Sequence, residues 1–135
     1  MSLKPNVSQR KKSLNKLKAQ IKLFLLNEEN TKVFGEGAYR LLCGVKETGS
    51  LRRSAISMGM AYTKAHKSIK AAEEALGIKL LIPTIGGKTG GGSILTPECE
   101  ELLEKYEEYK SLVNEANQRI YNRIFGISLT RSVRE

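Results

Sequence analysis

The spacing of apolar positions changes along this chain, and each change marks an element. From Ala19 to Phe34, two short apolar runs, around Ile21–Leu26 and Lys32–Phe34, flank Asn27-Glu28-Glu29-Asn30. Turn formers between apolar runs predict a β-hairpin, although Leu14, Leu17 and Ile21 would also suit a helix. Gly35 to Gly37 break the chain. Ala38, Leu41, Leu42 and Val45 then follow the i, i+3, i+4, i+7 pattern of a helix that Gly49 stops. Ser50 is a good N-cap for a short helix from Leu51 to Met58. Gly59 allows the positive φ that reverses the chain, and Ala55 is small where this helix meets the next. Tyr62, Ala65, Ile69, Ala72 and Leu76 recur at steps of three and four, giving a second helix over 61–76 one apolar stripe.

After Gly77 the period shortens. Ile78 to Ile85 reads as a strand whose Pro83 places it at an edge or irregularity. Gly86-Gly87-Lys88-Thr89-Gly90-Gly91-Gly92-Ser93 forms a tip, and Ile94–Thr96 a second strand. Strand, glycine tip and strand after a helix-turn-helix make a wing. Thr96 can cap the last helix, with Pro97 at its first position and Glu98, Glu100 and Glu101 near its positive end. There Cys99, Leu102, Tyr106, Tyr109, Val113, Ala116 and Ile120 form a heptad seam. A helix this long exceeds what a small winged domain needs for its own core. Its stripe seeks cover on a second copy, so Leu102, Tyr106, Tyr109, Val113, Ala116 and Ile120 are expected at a homodimer interface. The fold expected is mainly α with small β: a winged helix-turn-helix with an N-terminal β-hairpin and a long C-terminal dimerisation helix. Its parts are a basic arm (1–17), the winged domain (18–96), the long helix (97–125) and a tail (126–135).

Charge says what such a fold would meet. The 135 residues hold 23 Lys and Arg against 14 acids, a net charge of +9 that fits a polyanionic partner. Its distribution is uneven: Ser50 to Lys70 contains Arg52, Arg53, Lys64, Lys67 and Lys70 and no acid, whereas Glu98 to Glu108 is strongly acidic. Cys43 and Cys99 fall on apolar helix faces and read as buried thiols of a reducing compartment. With those two and a lone histidine, zinc-site spacings cannot be met. No apolar run approaches a membrane span or a signal segment, so a cytoplasmic chain without membrane contact is expected.

Candidate chemistry narrows to binding. Arg52, Arg53, Lys64, Lys67 and Lys70 would neutralise phosphates and set register, with Ser50 and Tyr62 beside them. Thr63 and His66, near the start of the second helix, suit base edges, as does Lys64 if it reaches a guanine. A basic helix face can be merely solvated, and His66 an ordinary residue packed under the wing; the glycine turn and adjoining wing argue for a binding face. Gly87-Lys88-Thr89 invites a nucleotide-binding reading, but the glycine a P-loop requires is Ile82 and no helix follows the loop. The glycines instead suit a thin tip approaching DNA, with Lys88 and Thr89 at the duplex. No nucleophile, base and orienter can be assembled, so no enzyme and no cofactor are expected.

Gly49-Ser50, Ala55, Gly59-Met60, Tyr62, Ala65 and above all Gly86-Gly87-Lys88-x-Gly90-Gly91-Gly92 with Leu95-Thr96 resemble the DNA-binding domain of ModE-type molybdenum-dependent transcriptional regulators. That domain lies within the LysR-type winged helix-turn-helix group, whose broader signature is similar to Ala65, Ile69, Glu73, Leu76-Gly77 and Leu80. The resemblance spans roughly Lys18 to Tyr109 and implies a homodimer joined by long helices, with 61–76 in the major groove of double-stranded DNA and the wing at 80–96 alongside. Where the family usually has Ser and Trp, this chain has Ala61 and His66. The family senses molybdate through further C-terminal domains. The chain is expected to lack these, leaving open a separate effector-sensing protein as partner. A winged-helix protein-interaction adaptor without operator binding is the alternative from another class.

Overall fold

The computed structural model describes residues 17–85 and 92–126. These form an antiparallel hairpin of β1 (Phe24–Leu26) and β2 (Lys32–Gly35), then helices α1 (Glu36–Thr48), α2 (Leu51–Ser57) and α3 (Tyr62–Leu76). A second antiparallel hairpin, β3 (Leu81–Thr84) and β4 (Gly92–Leu95), precedes the long helix α4 (Pro97–Phe125). Two compact units result: Lys22–Glu108, and the N-terminal residues to Ile21 together with those from Tyr109 onward. The first turns of α4 thus go with the winged unit, past the boundary expected at residue 96. The glycine tip, with Lys88 and Thr89, lies outside the described residues, as do most of the arm and the tail.

Local chemistry sets most boundaries. The hairpin turn closes because the Asn27 side chain accepts the Glu29 and Thr31 amides while Asn30 takes φ 62°. Strand β2 runs directly into α1, so Gly37 lies inside the first turn rather than before it. Gly35 is needed for space: a Cβ there would meet the Phe24 ring at 2.7 Å. Gly49 ends α1 at φ 73°, and Ser50 caps α2 by accepting the Arg53 amide at 3.1 Å. Gly59 reverses the chain at φ 66°. The strand expected over 78–85 shortens to four residues, with Pro83 opposite Ser93 near the tip of the ladder. Thr96 caps α4 through the Cys99 amide, with Pro97 as the first helical residue.

The core of the winged unit gathers Phe34, Leu41, Leu42, Val45, Leu51, Ala55, Ala65, Ile69, Ala72, Leu80, Cys99, Leu103 and Tyr106. Burying each large aliphatic or aromatic side chain contributes about 1.5–3 kcal/mol. α1 and α2 approach closely because position 44 is glycine, where any Cβ would overlap the Ser54 side chain. The buried Ser54 hydroxyl donates to the Leu41 carbonyl at 2.7 Å, satisfying itself.

Tyr106 requires a correction. Expected at a dimer seam, it is 3% exposed, with its ring 5.1 Å from Phe34 and from Tyr39. Its hydroxyl donates to the Leu23 carbonyl. The heptad pattern fits it because a core and a coiled coil ask the same spacing of a helix. Leu102 is half-buried against the same core. Cys99 is fully buried, which pushes its thiol up to about 12, while Cys43 is half-buried; both are free.

In the other unit, Asn117 donates its side-chain amide to the Ala19 carbonyl at 2.9 Å, laying the N-terminal segment on α4. Tyr109, Leu112, Ile120, Ile124 and Phe125 are exposed on this part of α4, and Leu17 and Ile21 on the N-terminal segment. Val113 and Ala116 are half-buried.

Candidate nucleic-acid interface

Helix α3 divides its residues sharply by burial. Ala65, Ile69 and Ala72 are sealed against the core and Leu76 packs on it, while Thr63, Lys64, His66 and Lys67 stand exposed on the opposite flank. The spacing that buries the stripe thereby presents the cations. His66 is therefore not packed under the wing. Tyr62, though on the stripe by spacing, is 38% exposed because it lies at the helix start, beyond the core. The Arg52 guanidinium lies 4.5 Å above its ring, and His66 stacks at 6.0 Å on the same residue. Arg52, Tyr62 and His66 are thus brought together where α2 meets α3, with Arg53 exposed beside Arg52.

Two expected contacts have other partners. The Ser50 hydroxyl caps α2, so its first role is structural. The Lys70 ammonium is 3.4 Å from Glu73, a residue that periodicity did not single out as a site. Glu73 is 9% exposed, and its Oε2 accepts the Leu80 amide at 2.8 Å and the Leu81 amide at 3.4 Å. Burial works to raise the Glu73 pKa, but the two amides and Lys70 outweigh it and hold the carboxyl below its ordinary value. The carboxylate ties the end of α3 to the start of the wing. The only advance signal was an acid on the buried side of a helix.

The wing is rooted at three further points. The Ser93 amide donates to the Gly49 carbonyl at 2.8 Å, and the Thr96 amide to Leu80. The Thr96 hydroxyl donates to the Lys79 carbonyl at 2.6 Å. Gly92 must lack a side chain, since a Cβ would overlap the Gly49 carbonyl. Between α3 and the wing lies an open cleft of about 490 Å³. Leu51, Ile69, Leu81 and Ile82 line it with apolar surface, and Lys70, Lys79, His66, Glu73 and Ser93 with polar groups. Among the described residues, no cluster of His, Cys, Asp or Glu could hold a metal ion, and no helix is long and apolar enough to cross a membrane.

Three helices, a glycine turn and a rooted β-hairpin define a winged helix-turn-helix, and residues 37–100 match the family described as bacterial regulatory helix-turn-helix protein, lysR family. This segment is a regulatory helix-turn-helix domain of the LysR type, not a catalytic one.

Among individual proteins, the chain is 35% identical over 66 residues to the molybdenum-pterin-binding protein MopB of Rhodobacter capsulatus. It is 36% identical over 70 residues to the molybdenum transport protein ModE of Herbaspirillum seropedicae, and 34% over 68 to the transcriptional regulator ModE of Haemophilus influenzae. These matches cover 49%, 52% and 50% of this chain, but only 24%, 26% and 27% of the relatives. The resemblance to ModE-type DNA-binding domains therefore holds for about half the chain.

Proposed function

We propose that this protein is a homodimeric transcriptional regulator that binds double-stranded DNA sequence-specifically, with α3 in the major groove and the wing alongside. The observation that carries this reading is the exposed flank of Thr63, Lys64, His66 and Lys67, opposite a fully buried stripe on the same helix. Lys64 and Lys67, with Arg53, neutralise phosphates; Thr63 and His66 reach base edges. Arg52 orders Tyr62 at the helix start and supplies a further charge. Lys70 joins them by exchanging Glu73 for phosphate, and Lys88 and Thr89 reach the duplex from the wing tip. The second copy is held by the exposed apolar residues of α4 from Tyr109 to Ile120. Two recognition helices then meet half-sites roughly 34 Å apart, one turn of B-DNA.

Selection from random-sequence duplexes tests sequence specificity: a recovered palindrome supports the reading, and no enrichment at moderate salt favours the adaptor. On any duplex bound, Lys64→Ala and Lys67→Ala should each weaken binding and lower the slope of log K against log salt by about one. An unchanged slope would remove phosphate contact from this face.

A further inference from the structure

The cleft between α3 and the wing contains a cation that nothing above uses. Lys79 is exposed at the cleft, and its backbone is fixed from both sides. The Thr96 hydroxyl holds its carbonyl, and the next amide, that of Leu80, donates to Glu73. Lys70 stands on the other wall, on α3, held to Glu73 at 3.4 Å. Between the cations the floor is apolar: Leu51, Ile69, Leu81 and the 45% exposed Ile82. Ser93 adds a hydroxyl at the wing side. The carboxylate of Glu73 also lines the cleft, but its Oε2 is taken by two amides and its Oε1 by Lys70.

A sugar–phosphate strand matches this arrangement. Deoxyribose presents a largely apolar face, its phosphates recur on either side of it, and an open cleft of about 490 Å³ has room for such a unit. The cleft also adjoins the flank of α3 that carries Lys67 and His66, so a strand bordering the major groove would run into it. We propose that the cleft seats one strand of the duplex backbone, with Lys79 and Lys70 on successive phosphates and Ile82 against the intervening sugar. This rests on the DNA-binding reading and adds to it a second, sequence-independent anchor, supplied by residues of the wing's base rather than its tip.

Fluorescence anisotropy of full-length chains on a labelled mixed-sequence duplex, across a salt series, tests it. Lys79→Ala should weaken binding roughly five- to tenfold at 0.1 M salt, lower the slope by about one, and do so equally on unrelated sequences. Ile82→Ser should weaken binding by the same factor at every salt concentration, because it removes an apolar contact and no charge. Lys46→Ala, which deletes a cation paired with Glu100 on α1, is the control for bulk charge and should leave the slope unaltered. If Lys64→Ala and Lys67→Ala weaken binding while Lys79→Ala and Ile82→Ser behave like the control, the cleft proposal falls and the DNA-binding reading stands. If the unmodified protein fails to bind the duplex at low salt, both fall.

Discussion

Glu73 has both carboxylate oxygens engaged, so its charge contributes to stability only while the group stays ionised. Its folded pKa lies below the unfolded value of 4.5, which means folding favours the carboxylate. The contribution is complete above the unfolded value and is lost as pH falls through the lower, folded one. Glu73→Gln keeps an acceptor for Leu80 but removes the charge, so it should cost about 1–3 kcal/mol at pH 7. In urea melts at pH 7 and pH 3, the gap between variant and unmodified protein should shrink at the lower pH. A constant gap would mean that the residue acts by shape alone. Neither Glu73 nor Ser54 could be assigned a role from the sequence, because their partners Leu80 and Leu41 are identified only by folding. Gly49, Ser50, Gly59 and Thr96 were legible because each acts on backbone within a few residues of itself.

At the scale of elements, α3 is the weakly started one. Ala61 occupies its N-cap position with extended backbone, φ −63° and ψ 140°, and no side chain accepts an amide there. Ala61→Ser should stabilise the fold by about 1 kcal/mol, provided the hydroxyl reaches the second or third helical amide. That gain would raise the thermal midpoint by about 4–8 °C for a domain of this size, measurable by calorimetry. No change would show that the Tyr62 ring and Arg52 already shield those amides. Hydrophobic spacing gave the helices correctly here, including the division of α3 into buried stripe and cationic flank. It failed on β3, where Ile78 and Ile85 continue the apolar run but Glu73 and the glycine tip decide which residues pair.

For the whole molecule, α4 combines two roles that one heptad pattern cannot separate. Cys99, Leu103 and Tyr106 complete the core, whereas Tyr109, Leu112 and Ile120 are exposed. Tyr106→Ala should therefore cost about 3–5 kcal/mol and lower the thermal midpoint whatever the oligomeric state. Leu112→Glu with Ile120→Glu should leave helicity intact by circular dichroism and convert dimers to monomers in analytical ultracentrifugation. If sedimentation does not change, association through this part of α4 is wrong. The roots of the wing lie at Gly49, Lys79 and Leu80, joined to Ser93 and Thr96. None of these bonds involves the stretch threaded between Thr84 and Gly92. Descendants of this gene can therefore lengthen, trim or recharge that stretch, retuning reach along a duplex while inheriting the scaffold unaltered.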